Sequence, residues 1–152
     1  MDLTIRPATA ADVQLLAEMN RQLCDDERSR NNMTVAALAV RMEKWLNENW
    51  KAVLFEQKSK LVGYSVFQIG SDYYDPSTSE VHLRQFFIVR ECRSQGVGRR
   101  AFDMLKATVF PPGSQVHLDV LTTNPSGQRF WEAVGFQQYS TAMRLGQSHG
   151  NG

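Results

Sequence analysis

Two glycines at the start of a helix are the chemically most informative residues of this sequence. Residues 86–100 read FFIVRECRSQGVGRR, an apolar strand that runs into a turn and then into a helix. Gly96 and Gly98 allow left-handed backbone angles and close approach of a ligand, and the first amides of a helix have no intrahelical acceptor. Free amides and the positive end of the helix dipole favour phosphate, so the turn predicts an anion site to which Arg93, Arg99 and Arg100 add charge. The alternative is an ordinary glycine-containing loop with solvated arginines.

Other phosphate-binding motifs are absent from the sequence. It contains no GxxxxGK followed by Ser or Thr, which excludes a P-loop, and it contains no GxGxxG. A formal net charge of +1, from 17 basic and 16 acidic side chains, gives no global attraction for nucleic acid or an anionic membrane. We therefore expect a local anion site in a protein with neither nucleic acid nor membrane as its partner.

Two segments resemble the motifs of a known family. Residues 93–98, RSQGVG, match the R/Q-x-x-G-x-G/A acyl-CoA motif of the GCN5-related N-acetyltransferase (GNAT) family, and they lie between the expected fourth strand and third helix. Residues 124–136, NPSGQRFWEAVGF, are similar to the family's N-x-x-A-x-x-x-Y-E-x-x-G-F segment. The resemblance implies an N-acetyltransferase that moves acetyl from acetyl-CoA directly to an amine. A non-catalytic acyl-CoA-binding or sensing module of the same fold is the alternative.

The resemblance also implies roles for individual residues. The backbone of the fourth strand would pair with the pantetheine arm of coenzyme A, and the amide of Ile88 would stabilise the oxyanion of the reaction. The amides of the glycine turn would hold the pyrophosphate, Asn124 would hydrogen-bond the cofactor arm, and Phe130 and Trp131 would line the far wall of the cleft. No metal is expected. The expected cofactor-binding residues are Phe87, Ile88, Val89, Arg93, Ser94, Gln95, Gly96, Val97, Gly98, Arg99, Asn124, Phe130 and Trp131.

The chain departs from the family pattern at the positions of both the general acid and the general base. Trp131 stands where many relatives have a tyrosine, and an indole N–H has no useful acidity. Arg84 and Gln85 lie near the strand position where relatives often carry a glutamate. Glu80 and His82 share the alternation of Arg84 and are the candidate bases, with a solvated or structural role as the alternative for each.

Two acidic segments suggest where an acceptor amine would bind. The sequences CDDE at residues 24–27 and DYYD at residues 72–75 interleave carboxylates with other side chains, and in this fold the corresponding loops usually shape the acceptor site. Carboxylates and aromatic rings suit a cationic amine, whereas solvated acidic loops are the alternative. A small amine, an amino acid, an aminoglycoside-like polyamine and a protein or peptide amine all remain open as acceptors.

The elements that must position these residues follow from the periodicity of the apolar positions. The pattern predicts the order β-α-α-β-β-β-α-β-α-β, an α/β or mixed α+β fold in which about four helices flank a mixed, mostly antiparallel sheet. Gly63, inside the third expected strand, indicates a bulge or a close backbone approach. The strands are expected at residues 3–6, 52–56, 61–69, 80–89, 115–121 and 136–145. The helices are expected after caps at Thr9, Thr34 and Ser126 and over residues 96–109.

Length and composition set the remaining expectations. A chain of 152 residues is long enough for one self-sufficient core, so residues 1–145 are expected to form a single domain and residues 146–152 a flexible tail. Cys24 and Cys92 are too few for a disulfide framework, and the N-terminus does not resemble a signal peptide, so a cytoplasmic protein is expected. An exposed edge strand would allow a homodimer.

Overall fold

Five strands form one mixed sheet in the order β1-β2-β3-β4-β5 in the computed structural model, which describes residues 2–146. Strands β1 to β4 pair antiparallel, and β5 joins the edge of β4 in parallel. The expected tail lies mainly at residues 147–152, outside the described residues. The strands are β1 (Leu3–Pro7), β2 (Lys51–Gln57), β3 (Lys60–Ser71), β4 (Ser79–Ile88) and β5 (Gln115–His117).

Four α-helices cover the two faces of this sheet, as the apolar periodicity predicts. They are α1 (Val13–Asp26), α2 (Val35–Leu46), α3 (Val97–Thr108) and α4 (Pro125–Ala133). One face packs on α1 and α2 through a cluster that includes Leu16, Met42 and Tyr64. The other face packs on α3 and α4 through a cluster that includes Phe55 and Phe102. No helix within residues 2–146 is long and apolar enough to cross a membrane.

Side-chain hydrogen bonds fix where α2 and α4 begin and close the short 3-10 turn (Ala10–Asp12) that precedes α1. The Thr34 hydroxyl accepts a hydrogen bond from the amide of Ala37 at 3.1 Å, and the Asp12 carboxylate accepts one from the amide of Thr9 at 2.8 Å. Both caps agree with the sequence pattern. The expected cap at Ser126 is wrong. The side chain of Asn124 accepts from the backbone amide two residues beyond Pro125 at 3.1 Å, so α4 begins with proline in its first turn, where the missing N–H costs nothing.

Gly63 makes the close backbone approach that its place in a strand predicts. The register between β2 and β3 shifts beside it, so that Val62 is an extra residue in β3. A Cβ atom at residue 63 would lie 2.1 Å from the carbonyl oxygen of Phe87 in β4. Only glycine therefore allows β3 to approach β4 at this point.

The end of the chain differs from the expectation. Strand β5 stops at His117 instead of residue 121, and residues 136–145 form no strand. The segment after Phe136 has no neighbouring strand with which to exchange backbone hydrogen bonds, and an apolar and polar alternation alone does not stabilise an extended segment. Tyr139 is 98% exposed, whereas Phe136 packs in the aromatic cluster under α4.

Replacing Gly63 with alanine is expected to destabilise the protein by roughly 1–3 kcal/mol, because the new methyl group would meet backbone that cannot move aside. Gly70→Ala in the same strand is the matched control, since a Cβ there meets nothing within 4 Å. Urea unfolding of both variants measures the difference. Equal stability of the two variants would contradict the close approach of β3 and β4.

Candidate active site

Strands β4 and β5 separate directly after a pair of stacked histidines. The last paired residues are His82 and His117, whose rings lie 4.7 Å apart with an interplanar angle of 17°. Beyond them β5 ends, and β4 carries a bulge in which Arg84 has no partner in β3. The unpaired edge of β4 therefore continues from the histidine pair toward the glycine turn and opens a cleft between the two strands.

The bulge also reverses which residues of β4 face each layer of helices. Before the bulge, Val81 and Leu83 belong to the cluster under α3, whereas after it Ile88 does. His82 and Arg84 both contact the ring of Trp50, so they share the face covered by α2, as the alternation of the sequence predicts. An unbulged strand would have kept the even-numbered residues on that face throughout.

Ile88 lies on the free edge of β4 with its amide directed into the cleft. The amide of Val89 donates to the carbonyl of Val62 in β3 at 2.9 Å. Because neighbouring residues of an antiparallel strand direct their amides to opposite sides, the amide of Ile88 points away from β3. Its carbonyl accepts a hydrogen bond from Nε of Arg93 at 2.7 Å. The backbone amide of Ile88, the expected donor, therefore has no partner in β3. The carbonyl of the same residue already accepts from the side chain of Arg93.

The glycine turn presents a run of amides at the start of α3. Ser94 and Gly96 both have positive φ, at 65° and 78°, and the first helical hydrogen bond runs from the amide of Arg100 to the carbonyl of Gly96 at 3.1 Å. The amides of Val97 and Gly98 precede that bond and so have no helical acceptor. Alternating left-handed residues before a helix form a concave arrangement of amides that suits an anion. The turn has the geometry that its sequence predicts, with an additional left-handed residue at Ser94.

Two of the three arginines expected to add charge to the turn, Arg93 and Arg99, are bound to acceptors elsewhere in the protein. Arg93 donates to the carboxylate of Asp26 at 2.7 Å and lies over the ring of Phe87, while Arg99 donates to the carbonyl of Ala133 at 3.1 Å. Their positive charge still surrounds the turn, although both side chains have protein acceptors. We interpret them as residues that hold the turn in shape.

Asp26, at the end of α1, connects this turn to the first helical layer. Its carboxylate accepts from Arg90 at 2.8 Å as well as from Arg93. Partial burial acts to raise the pKa of Asp26, but the hydrogen bonds from the two guanidinium groups outweigh it and hold the pKa below its usual value. The carboxylate is therefore ionised at neutral pH and fixes the turn against α1.

An aromatic cluster forms the wall of the cleft opposite β4. The ring of Trp131 lies 5.2 Å from Phe86, 5.3 Å from Phe102 and 4.7 Å from Phe130. Phe130 in turn would lie 3.1 Å from a Cβ atom on Gly98, so α4 packs tightly on the start of α3. Trp131 is thus a packing residue of the wall, which agrees with its lack of acid chemistry.

The candidate bases lie together at the closed end of the cleft. His82 and Glu80 line a cavity of about 420 Å³, and Nε2 of His117 lies 3.9 Å from the Glu80 carboxylate. Burial, together with the neighbouring His117, lowers the pKa of His82 below its usual value. The imidazole of His82 is therefore neutral at pH 7 and able to accept a proton.

Glu27, just beyond α1, is an ionisable group whose burial the sequence does not predict. Its backbone carbonyl accepts a hydrogen bond from the hydroxyl of Thr123 at 2.7 Å, so the segment between α1 and α2 contacts the segment before α4. Burial raises the pKa of the Glu27 carboxyl to about 7, and the charge of Asp26 adds to the shift. The sequence shows an acidic cluster here but gives no signal for which member is buried.

The remaining acidic side chains bond to residues close to them in the chain, within α1 or within the loop between β3 and β4. Asp25 pairs with Arg21 at 3.0 Å, and Asp72 accepts hydrogen bonds from the backbone amides of Tyr74 and Asp75 at 3.0 and 2.8 Å. The carboxylate of Asp75 accepts from the residues that follow it. These contacts are local to each segment, which agrees with the alternative that the acidic segments have a structural or solvated role.

Comparison with known proteins places this arrangement among acetyltransferases. The family model described as "Acetyltransferase (GNAT) family" matches residues 17–136. A search of curated proteins found no match.

A possible acetyltransferase from Clostridium difficile 630 has a TM-score of 0.78 and 15% identity, with 96% of this chain and 97% of that chain covered. Aminoglycoside N-acetyltransferase AAC(6')-Iy, in complex with CoA, has a TM-score of 0.72 and 16% identity, covering 96% and 95%. A predicted acetyltransferase with acetyl-CoA from Clostridium acetobutylicum has a TM-score of 0.70 and 14% identity, covering 95% and 96%. At these identities the likeness establishes the fold.

Removing the carboxylate charge of Asp26 is expected to destabilise the protein at neutral pH. Asp26→Asn loses two ion pairs, and since both arginines are partly exposed to water we expect a loss of about 1 kcal/mol. Because folding lowers the pKa of Asp26, its stabilisation is present above the unfolded pKa of about 3.9 and disappears as the pH falls through the folded value.

Urea unfolding at a series of pH values checks this prediction, with Asp25→Asn as the control. The gap between Asp26→Asn and wild type should close toward acidic pH, and the gap for the control should stay small. A pH-independent gap would show that the charge of Asp26 does not link α1 to the turn.

Proposed function

The chain belongs to the GNAT family of acetyltransferases, and on that premise we propose that it transfers acetyl from acetyl-CoA directly to the nitrogen of an amine. The observation that carries the proposal is the free edge of β4, which leads from the histidine pair to the amides at the start of α3. Acetyl-CoA is the cosubstrate. It supplies the acetyl group as a thioester, and every other part of the chemistry proposed here belongs to residues of this chain.

The residues around the cleft fit a long ligand with an anionic end. The amides of residues 95–99 would hold the pyrophosphate, where two left-handed residues and the helix dipole favour negative charge. Phe87, Ile88 and Val89 would pair through the backbone with the pantetheine arm, in the manner of an added strand. Pairing at the Ile88 carbonyl requires Arg93 to give up its hydrogen bond there, so binding would loosen the contact between Arg93 and β4.

The opposite wall would be supplied by the start and the first two turns of α4. Phe130 and Trp131 provide an apolar surface beside Gly98. Asn124 uses its side-chain oxygen to cap α4, which leaves its amide NH₂ to hydrogen-bond the arm of the cosubstrate. We therefore retain all of the cofactor-binding residues expected from the sequence, with Arg93 and Arg99 acting through the shape of the turn.

His82 is proposed as the general base. In the transfer step the amine nitrogen forms a bond to the acyl carbon, the bond from that carbon to sulfur breaks, and the amine loses one proton. A neutral imidazole at the end of the β4–β5 pairing accepts that proton directly or through water, with His117 stacked on it and Glu80 beside His117. The amide of Ile88 donates to the acyl oxygen as negative charge develops on it.

The chain needs no acid in place of the missing tyrosine. A thiol of pKa about 8.5 leaves readily as the anion, so protonation of sulfur by a side chain is not required in the transfer step. Trp131 instead keeps water away from the cleft with the surrounding rings. Binding of acetyl-CoA without turnover over a broad panel of amines would favour the alternative function, an acyl-CoA sensor.

The turn is tested by replacing Gly96 with glutamate. The side chain would add negative charge beside the pyrophosphate amides and would strain a backbone with φ of 78°, so we expect at least about a tenfold loss of acetyl-CoA affinity. Gly113→Glu is the control, because Gly113 has a φ of 77° and its Cβ would meet nothing within 4 Å. Calorimetric titration should show micromolar binding by wild type and by the control. Equal binding by both variants, or none by wild type, would contradict the proposed site.

The base is tested by the pH dependence of kcat at saturating acceptor. Because the neutral form of His82 is the active one and its pKa is lowered, kcat should rise with pH along an acidic limb centred below the usual histidine pKa of about 6.5. His82→Gln should lower kcat by roughly 10²-fold or more and abolish this acidic limb. Glu27→Gln should leave the limb unchanged. A limb centred near pH 7 that vanishes only in Glu27→Gln would instead assign the base to Glu27, whose pKa is raised to about 7.

A further inference from the structure

Two guanidinium groups contact the ring of one tryptophan on the α2 side of the bulge. The guanidinium carbon of Arg41 lies 4.4 Å from the ring centroid of Trp45, and that of Arg84 lies 4.5 Å from the same centroid. Arg84 also lies over the ring of Trp50, at 5.2 Å. Both guanidinium groups therefore contact the same indole ring. The distance between their central carbons is at most the sum of those two distances to the centroid.

No carboxylate neutralises this pair within the described part of the chain. Arg84 forms no hydrogen bond and no ion pair there, and Arg41 donates only to the side-chain oxygen of Asn20, at 3.2 Å. Nε of Arg41 is buried without an acceptor. Arg90 and Arg93, in contrast, are both neutralised by the carboxylate of Asp26.

This arrangement leaves two guanidinium groups without a counter-charge among the described residues and available to an anion from solution. Burial lowers the pKa of Arg41 and of Arg84, and the charge of Arg84 lowers that of Arg41 further. Contact with an indole ring partly offsets the lost hydration of a guanidinium, but it leaves the N–H edge of the group unpaired. That planar edge matches the two oxygens of a carboxylate.

The pair lies beside the proposed chemistry. Arg84 is the bulged residue of β4, two residues after His82, and the ring of Trp50 contacts both of them. The side chain of Arg84 is partly exposed and so is accessible to a small ligand. An acceptor held here would have its amine next to the cleft and any negative group on the arginines.

We propose that Arg41 and Arg84, supported by Trp45, bind an anionic group of the acceptor, so that the acceptor is an amino acid or a related small amine that carries a carboxylate. The proposal rests on the proposed acetyl transfer. It deepens that function by naming the substrate class, and it excludes polycations such as aminoglycosides, which two unneutralised arginines repel. In the first acidic segment, Asp25 and Asp26 are each paired with arginine, which reduces the negative charge that this segment offers to a polycation.

Steady-state kinetics with matched acceptors test the proposal. Glycine, β-alanine and γ-aminobutyrate would be compared with their carboxamides, which keep the amine and its spacing but remove the charge. We expect wild type to prefer the best acid over its amide by about tenfold or more in kcat/KM. Arg84→Gln should remove most of that preference by raising the KM of the acid, while Arg84→Lys should keep part of it.

The control is Lys44→Gln, which removes a positive charge from the outward face of α2 one residue before Trp45 and should leave the preference unchanged. Titration with acetyl-CoA separates the two proposals. Unchanged acetyl-CoA affinity in Arg84→Gln shows that the cosubstrate site is intact, whereas no binding by wild type would remove the proposed function itself. Amines that carry phosphate in place of carboxylate form a further arm, and a preference for them would replace the carboxylate assignment.

A binding measurement makes the test independent of turnover. N-acetylglycine and N-acetylglycinamide, as product-type probes, would be titrated against the tryptophan fluorescence of wild type and Arg84→Gln. Saturable change with the acid alone, lost in the variant, supports the anion site. Equal responses to acid and amide, together with no preference in kinetics, would overturn the proposal, as would efficient acetylation of a polycationic amine in preference to all of the acids.

Discussion

A single extra residue in β4 controls how the candidate site is built. Because Arg84 has no partner in β3, the strand changes which side chains face each layer, and the pairing of β4 with β5 ends at the preceding histidine. The free edge beyond that point leaves the amide of Ile88 without a neighbouring strand. A regular strand would have continued its pairing with β5 and closed the cleft. It would also have placed the side chains that follow Arg84 on the opposite faces of the sheet. The groups proposed to bind, to accept a proton and to select the acceptor therefore all depend on this bulge.

Charge is distributed unequally along that cleft. On the side of the glycine turn, Asp26 gathers two arginines and fixes the end of α1, so positive charge there is balanced within the protein. On the side of α2, Arg41 and Arg84 rest on Trp45 without a counter-charge. Next to Asp26 in the chain, burial raises the pKa of Glu27 to about 7. Balanced charge maintains the shape of the turn, while unbalanced charge is available to a ligand.

Packing explains how the chain tolerates its departures from the family pattern. The ring of Trp131 fills the space between β4, α3 and α4, where a smaller phenol would leave a gap beside Phe102. Gly98 permits that close packing, since a side chain there would meet Phe130. The wall of the cleft is thus rigid and apolar, and proton transfer is left to polar groups of β4 and β5. Such a division suits a reaction that depends mainly on positioning its two substrates.

The sequence determined what local chemistry can determine. Apolar periodicity predicts the four helices and the first four strands, Thr34 predicts its cap, and the glycines predict the turn before α3, because each depends on residues close in the chain. The short β5, the missing last strand and the cap at Asn124 depend on which neighbour is present to accept a hydrogen bond. Three other features depend on residues far apart in the chain. They are the burial of Glu27, the ion pairs of Asp26 and the contact of Arg41 and Arg84 with one tryptophan ring. Only the tertiary structure decides these, because electrostatic environment is a property of three-dimensional neighbours and not of sequence spacing.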